Sequence, residues 1–129
     1  MKIFLNLLFA FVLTITCSLK ANSMDFEEAF RQVDKKPMLV LIYADWVDNS
    51  KSYVKEFRAL EKEFGNTYNF VELDIASKDM KYFNSMYYLY PNLPYLLMFR
   101  NAGKISRYID RNCILDPACS IPKIRSFIL

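Results

Sequence analysis

The sequence predicts an α/β domain whose central mixed sheet combines a parallel βαβ unit with an antiparallel hairpin and is flanked by helices. Residues 38–44 form a continuous apolar run, which is typical of a strand buried on both faces. An amphipathic helix over about 50–64 and a second apolar strand over 68–75 follow, so these two strands are expected to be parallel. Further on, the tight turn 101–103 lies between two more strand patterns and predicts a hairpin.

A short helix is predicted before the first strand. Its apolar positions follow the spacing of one helix face and are Phe26, Ala29, Phe30 and Val33. Ser23 is the expected cap of this helix, and Pro37 follows its end. The apolar side of the helix over 50–64 is formed by Tyr53, Val54, Phe57, Leu60 and Phe64. Asp48 or Asn49 is expected to cap that helix, and Gly65 to end it.

The C-terminal half predicts one more short helix, the hairpin and a closing helix. The short helix is expected over about 79–87 and the hairpin strands over 95–99 and 104–109. A loop carrying Cys113 and Cys119 then leads to the last helix. Ser120 is the expected cap of that helix, with Pro122 near its first position.

Residues 1–21 resemble a secretory signal peptide, which leaves one domain over 22–129. Lys2 supplies a short positive start, and residues 3–15 are almost entirely apolar. This run is shorter than the roughly 20 residues of a spanning helix, so no membrane span is expected in the mature chain. A lipid anchor at Cys17 is the alternative, although the residues before it match the lipoprotein pattern poorly.

Charge and histidine content argue against several classes of function. Removal of residues 1–21 takes Lys2 and Lys20 from the 17 basic residues, which leaves 15 against 14 acidic ones. No basic run or stripe is apparent, so nucleic-acid binding is not expected. The chain has no histidine, which excludes histidine-based triads, and neither a metal nor another cofactor is expected. Asp45, Asp48 and Asn49 lack the spacing of a calcium loop.

Two cysteines, Cys113 and Cys119, remain in the predicted mature chain. An even pair in an exported protein is typical of a disulfide. A structural bridge across so short a loop would stabilise the fold by roughly 2 kcal/mol. A relocated redox pair is the alternative, but neither cysteine lies at an evident helix N-terminus that would lower its thiol pKa.

The segment 39–51 resembles the active-site segment of thioredoxins with both cysteines replaced. In that family a buried strand runs into Trp-Cys-x-x-Cys-Lys at a helix N-terminus. Here Trp46 and Lys51 stand at the matching positions, and the cysteine positions hold Val47 and Ser50. Disulfide exchange needs an attacking thiolate and a second thiol, so this turn is expected to be redox-inactive.

The resemblance to the thioredoxin-like superfamily covers nearly the whole predicted mature chain. Leu93 and Pro94 precede a strand, as the cis-proline of thioredoxins does, so a cis Leu93–Pro94 bond is expected. The counterpart of the acid that thioredoxins bury beside the inner thiol is Leu41. The tripeptide 44–46 and the Lys-Glu-Phe of 55–57 are similar to an exported branch that includes the C-terminal domain of thiol:disulfide interchange reductases.

This resemblance implies an exported domain, in a bacterial periplasm, that binds a protein or peptide non-covalently. The binding surface would comprise Trp46, Val47, Asp48, Asn49, Ser50, Leu93, Pro94 and Tyr95. No catalytic residue is expected on it. The alternative is a thiol-disulfide oxidoreductase that uses Cys113 and Cys119, and a third reading is a structural component tethered through Cys17. The tyrosines around Pro94 either fill the core or border the binding surface.

Overall fold

The computed structural model describes residues 24–128 and contains a four-stranded mixed sheet. In chain order the elements are α1 (Phe26–Arg31), β1 (Met38–Tyr43), α2 (Ser50–Phe64), β2 (Asn69–Asp74), α3 (Met80–Asn84), β3 (Tyr95–Arg100), β4 (Ile105–Ile109), α4 (Arg111–Ile114) and α5 (Pro117–Phe127). The strand order is β2-β1-β3-β4, with β1 parallel to β2 and antiparallel to β3. β3 and β4 form the antiparallel hairpin. The predicted α/β architecture is confirmed.

Strand β1 lies in the middle of the molecule and is buried on both faces. Leu39 and Leu41 pack into a core shared with α2, α4 and α5. Met38, Val40 and Ile42 pack into a second core shared with α1 and α3. The helices therefore cover opposite faces of the sheet, which explains why the β1 sequence is apolar without interruption.

Helix α2 is amphipathic and has the predicted bounds, but its ends are built differently. Its buried side chains are Tyr53, Phe57, Leu60 and Phe64. Asn49 occupies the N-cap in a left-handed conformation with φ 63°, and its side chain makes no capping hydrogen bond. Gly65 follows the last turn in a right-handed conformation, so the left-handed ending common at glycine is not used here.

The first and third helices are shorter than the apolar spacing suggests. Asp25, rather than Ser23, occupies the N-cap of α1, and its side chain makes no capping bond. Val33 lies beyond the end of α1 but is still buried, so tertiary packing holds it without a helical backbone.

Ser23, the predicted signal peptide and Cys17 lie outside the described residues. Among the described helices, none is both long and apolar enough to cross a membrane.

The segment that carries the cysteines is helical, and the prediction of a loop there was wrong. Cys113 lies in α4, and α5 begins at Pro117 instead of Ser120. The Asp116 carboxylate caps α5 by accepting a hydrogen bond from the Ala118 N–H at 3.1 Å. Aspartate at the cap with proline directly after it is a strong helix start. The predicted cap Ser120 is fully buried within α5.

The sequence predicts Pro122 near the first position of the last helix, but it lies in the interior of α5. Proline lacks the N–H that would bond the carbonyl four residues earlier, so the interior position is costly. The helix nevertheless continues to Phe127, because Ile124 and Phe127 are buried in the core beside α2.

Candidate functional site

The sheet brings the two parts of the predicted binding surface to one end of the molecule. β1 and β3 run antiparallel, with Ile42 opposite Tyr95. The chain therefore leaves β1 for the turn before α2 at the same end where Leu93 and Pro94 enter β3. The Leu93–Pro94 peptide bond is cis.

The turn between β1 and α2 is held by its own backbone. The Val47 N–H donates to the Ala44 carbonyl at 3.2 Å, and the Ser50 N–H donates to the Val47 carbonyl at 3.1 Å. The Ser50 hydroxyl donates to the Asp45 carbonyl at 3.4 Å. Ser50 is the first residue of α2 and Val47 lies in the turn before it, so a hydroxyl and a hydrocarbon occupy these two positions at the helix start.

The residues of the predicted surface differ sharply in exposure. The Trp46 side chain is 69% exposed, and Asp48 and Asn49 are exposed beside it. Val47, Ser50 and Leu93 are half-buried. An indole so exposed at the end of a sheet is available for contact with another molecule.

Pro94 and Tyr95 are buried, which differs from the prediction. The Tyr95 hydroxyl accepts a hydrogen bond from the Tyr90 N–H at 3.0 Å, and burial raises the pKa of this phenol. As the first residue of a central strand, Tyr95 points its ring into the core and cannot offer it to a partner. Its role in the surface is to hold the backbone of the segment before β3.

The tyrosines around Pro94 divide between core and surface. Tyr87 is half-buried, and its hydroxyl donates to the Gly103 carbonyl at 3.1 Å. Tyr90 is partly exposed and contacts the rings of Tyr95 and Tyr108. Tyr88 is almost fully exposed at 93%. Some tyrosines of this group therefore fill the core, as Tyr87 does in part, and others lie at the surface, as Tyr88 does.

A groove of about 540 Å³ runs from this turn along α2 and was not anticipated. It is lined by Tyr43, Asp45, Ser50, Lys51, Val54, Lys55, Arg58, Ala59, Lys62 and Glu72. The four basic residues of this set follow one face of α2 at helical spacing. The expectation that the chain has no basic stripe was wrong. The i, i+4, i+7, i+11 spacing of these residues would have revealed it.

Two of the residues that line this groove form an ion pair. The Arg58 guanidinium donates to both carboxylate oxygens of Glu72, at 3.0 and 2.9 Å. The hydrogen bond to Glu72 raises the pKa of Arg58. Burial, together with the carboxylates of Asp74, Glu72 and Asp45, raises the pKa of the neighbouring Tyr43 phenol. Tyr43 therefore stays a neutral hydroxyl throughout the physiological pH range.

Cys113 and Cys119 form a disulfide that joins α4 to α5, with their Cα atoms 5.3 Å apart. Cys113 is buried and Cys119 is half-buried. Cys119 is the third residue of α5. Cys113 is likewise the third residue of the four-residue helix α4, so the expectation that neither cysteine lies at a helix N-terminus was wrong for both.

Comparison with known proteins identifies the fold. A thioredoxin f2 solved in complex with ferredoxin:thioredoxin reductase matches with a TM-score of 0.62 and 14% identity, over 81% of this chain and 92% of that chain. Deadhead, a germline-specific thioredoxin of Drosophila melanogaster, gives 0.59 and 12%, over 84% and 97%. Thioredoxin O1 of Arabidopsis thaliana in its oxidised state gives 0.56 and 14%, over 84% and 91%.

The fold of this chain is therefore thioredoxin-like, as the resemblance in the sequence implied. No protein-family model matches the sequence, and no curated protein matches it significantly. Within residues 24–128, no group of three or more Cys, Asp or Glu side chains is arranged to hold a metal ion.

Proposed function

We propose that this chain is an exported, redox-inactive thioredoxin-like domain that binds an extended protein or peptide without covalent chemistry. The observation that carries the proposal is the 69% exposed Trp46 on a turn whose two cysteine-equivalent positions are Val47 and Ser50. A large aromatic side chain left in water loses the free energy of its burial, which a partner would restore.

The contacts of such a complex follow from the geometry of the sheet end. A partner in extended conformation would bury Trp46 and lie along the backbone of Leu93, next to β3. Backbone hydrogen bonds would supply affinity that tolerates many sequences, and the indole would supply an apolar anchor. Asp48 and Asn49 would form a polar rim around that anchor.

The chemistry of the turn supports binding rather than catalysis. Valine cannot attack a disulfide, and a serine hydroxyl is far too weak an acid to form the needed nucleophile at neutral pH. The chain has no histidine, so no histidine can act as the general base that would take the proton from the Ser50 hydroxyl. The turn keeps its shape through backbone hydrogen bonds and the contact of the Ser50 hydroxyl with the Asp45 carbonyl, none of which needs a thiol.

Peptide selection tests the proposal. Extended peptides selected from a random library on the full chain should bind at least about tenfold more weakly to Trp46→Ala, because interface tryptophans are frequent hot spots. Ile105→Ala is the control, since it removes another exposed apolar side chain at the opposite end of the sheet, beside Arg100. Trp46 is the chain's single tryptophan, so its emission should shift to shorter wavelength when a tryptophan-free peptide covers it. Peptides that bind both variants as tightly as the original chain would refute the proposal.

A thiol-disulfide oxidoreductase working through Cys113 and Cys119 is the second candidate. It is favoured by the position of Cys119 in the first turn of α5, where a helix dipole would stabilise a thiolate after reduction. An enzyme of this kind should reduce insulin and lose that activity in Cys119→Ala. A structural bridge should instead have a reduction potential below about −300 mV and give no turnover.

A further inference from the structure

The groove along α2 carries unneutralised positive charge. Lys51, Lys55 and Lys62 line it, and none of them takes part in an ion pair among residues 24–128. Arg58 is already neutralised by Glu72, whose side chain is only 10% exposed. Among the residues that line the groove, three ammonium groups outside any ion pair therefore stand against one remaining carboxylate, that of Asp45. The Glu61 carboxylate lies near Arg58 and Glu72 but outside this lining.

The same groove borders an open sheet edge. β2 is the outer strand of the four-stranded sheet and pairs with β1 alone within the described residues. The Asn69 N–H donates to the Pro37 carbonyl and the Ile75 N–H to the Tyr43 carbonyl. The odd-numbered residues of β2 therefore direct their backbone groups toward β1. The backbone groups of Phe70 and Glu72 consequently point away from β1. An edge of this kind accepts an added strand.

The groove is also continuous with the turn that carries Trp46. Asp45 and Ser50 belong to that turn and line the groove at the same time. A segment that covers Trp46 and stays extended can therefore continue past Ser50 into the groove beside Lys51 and Lys55.

We propose that the groove along α2 binds an acidic, extended segment of the partner protein, immediately next to the part of that segment held at Trp46. This inference rests on the proposed binding function and adds the chemistry of the partner. The free lysines would select carboxylates by charge complementarity. Because they lie on one helix face over three turns, they match acidic residues spread along several positions and not a single anion.

A matched peptide pair tests this partner chemistry. Two dye-labelled peptides share an apolar centre, and the flanking residues are Asp and Glu in one and Asn and Gln in the other. The acidic peptide should bind the full chain at least about tenfold more tightly. Lys55→Glu combined with Lys62→Glu should remove that advantage. Lys81→Glu is the control, since Lys81 is exposed on α3, which packs on the opposite face of the sheet. Raised salt should weaken only the acidic peptide.

The outcomes separate this inference from the function on which it rests. If Trp46→Ala weakens both peptides while the double charge reversal changes neither, the groove proposal fails and the binding function stands. If the charge reversal weakens the acidic peptide and Trp46→Ala has no effect, the continuous surface proposed here is refuted together with the Trp46 site. Tighter binding of a labelled single-stranded oligonucleotide than of the acidic peptide, lost in the same reversal variant, would also refute an acidic protein partner.

Discussion

At the scale of single residues, buried hydroxyl groups connect parts of the chain that are distant in sequence. Tyr68 lies just before β2, is 1% exposed and donates a hydrogen bond of 2.6 Å to the Ile124 carbonyl in α5. Burial raises the pKa of Tyr68 to about 12, from an ordinary value of 10.0. The neutral phenol is therefore the form that the folded chain requires, and α5 is held to the βαβ unit partly through it.

Tyr68→Phe should lower the free energy of unfolding by about 1 kcal/mol, since it removes one hydrogen bond and leaves the Ile124 carbonyl without this donor. Because the folded-state pKa is raised, the contribution of Tyr68 is fully present below about pH 10 and is lost as pH rises toward 12. Urea unfolding across this range measures both effects. The exposed Tyr88→Phe is the control. An alkaline loss of stability that is as steep in Tyr68→Phe as in the original chain would contradict the assignment.

At the scale of the elements, the periodicity of the sequence predicts those parts whose environment is uniform. β1 is buried on both faces and α2 on one, so the apolar run and the helical spacing each have a single interpretation. The start of α5 was missed because Ser120 and Asp116 are both acceptable caps in the sequence. Only packing decides between them, since a helix beginning at Pro117 buries Ser120 against the core.

The candidate site was less predictable from the sequence than the fold, because the exposure of its residues also depends on tertiary packing. The resemblance located Trp46 and Leu93 at one sheet end, since strand order alone brings them there. It did not reveal that Tyr95 is buried. β3 is a central strand covered on both faces, so its first residue is buried whichever face its side chain points to. The basic stripe beginning at Lys51 went unnoticed because whole-chain charge balance conceals a local excess on one helix face.

The hairpin between β3 and β4 depends on an unusual run of backbone conformations. Asn101, Ala102 and Gly103 all have positive φ, of 56°, 57° and 75°. At position 103 an added Cβ would lie 2.5 Å from the Tyr87 hydroxyl oxygen and 2.6 Å from Cε2 of Phe30. Glycine is therefore required there both by φ and by close packing.

Gly103→Ala should destabilise the fold by about 2 kcal/mol, because it combines an unfavourable φ with displacement of two aromatic rings. Ala102→Gly serves as the control, since it relaxes a positive φ in the same turn without adding an atom. Thermal unfolding of both variants measures the difference. Equal unfolding temperatures for Gly103→Ala and the original chain would show that the hairpin can move away from Phe30 and Tyr87 at little cost.

At the scale of the whole molecule, the two cores hold the sheet rigid while its end carries the exposed Trp46. None of the turn residues 46–50 is fully buried, whereas Leu41 is completely buried a few residues earlier. Substitutions in this turn should therefore change function far more than stability. The thioredoxin-like fold itself should then remain able to support disulfide chemistry once sulfur is supplied.

Val47→Cys combined with Ser50→Cys tests this expectation. Ser50 begins α2, where a helix N-terminus stabilises a thiolate, and Val47 lies in the turn directly before it. The double variant should form a second, reducible disulfide and acquire measurable insulin-reducing activity, while its free energy of unfolding in the reduced state stays within about 0.5 kcal/mol of the original. Val47→Cys alone should remain inactive, since no resolving thiol is present. Activity already present in the original chain at a similar level would point to Cys113 and Cys119 as its source, which Cys119→Ala would verify. A double variant without gained activity would contradict the expectation.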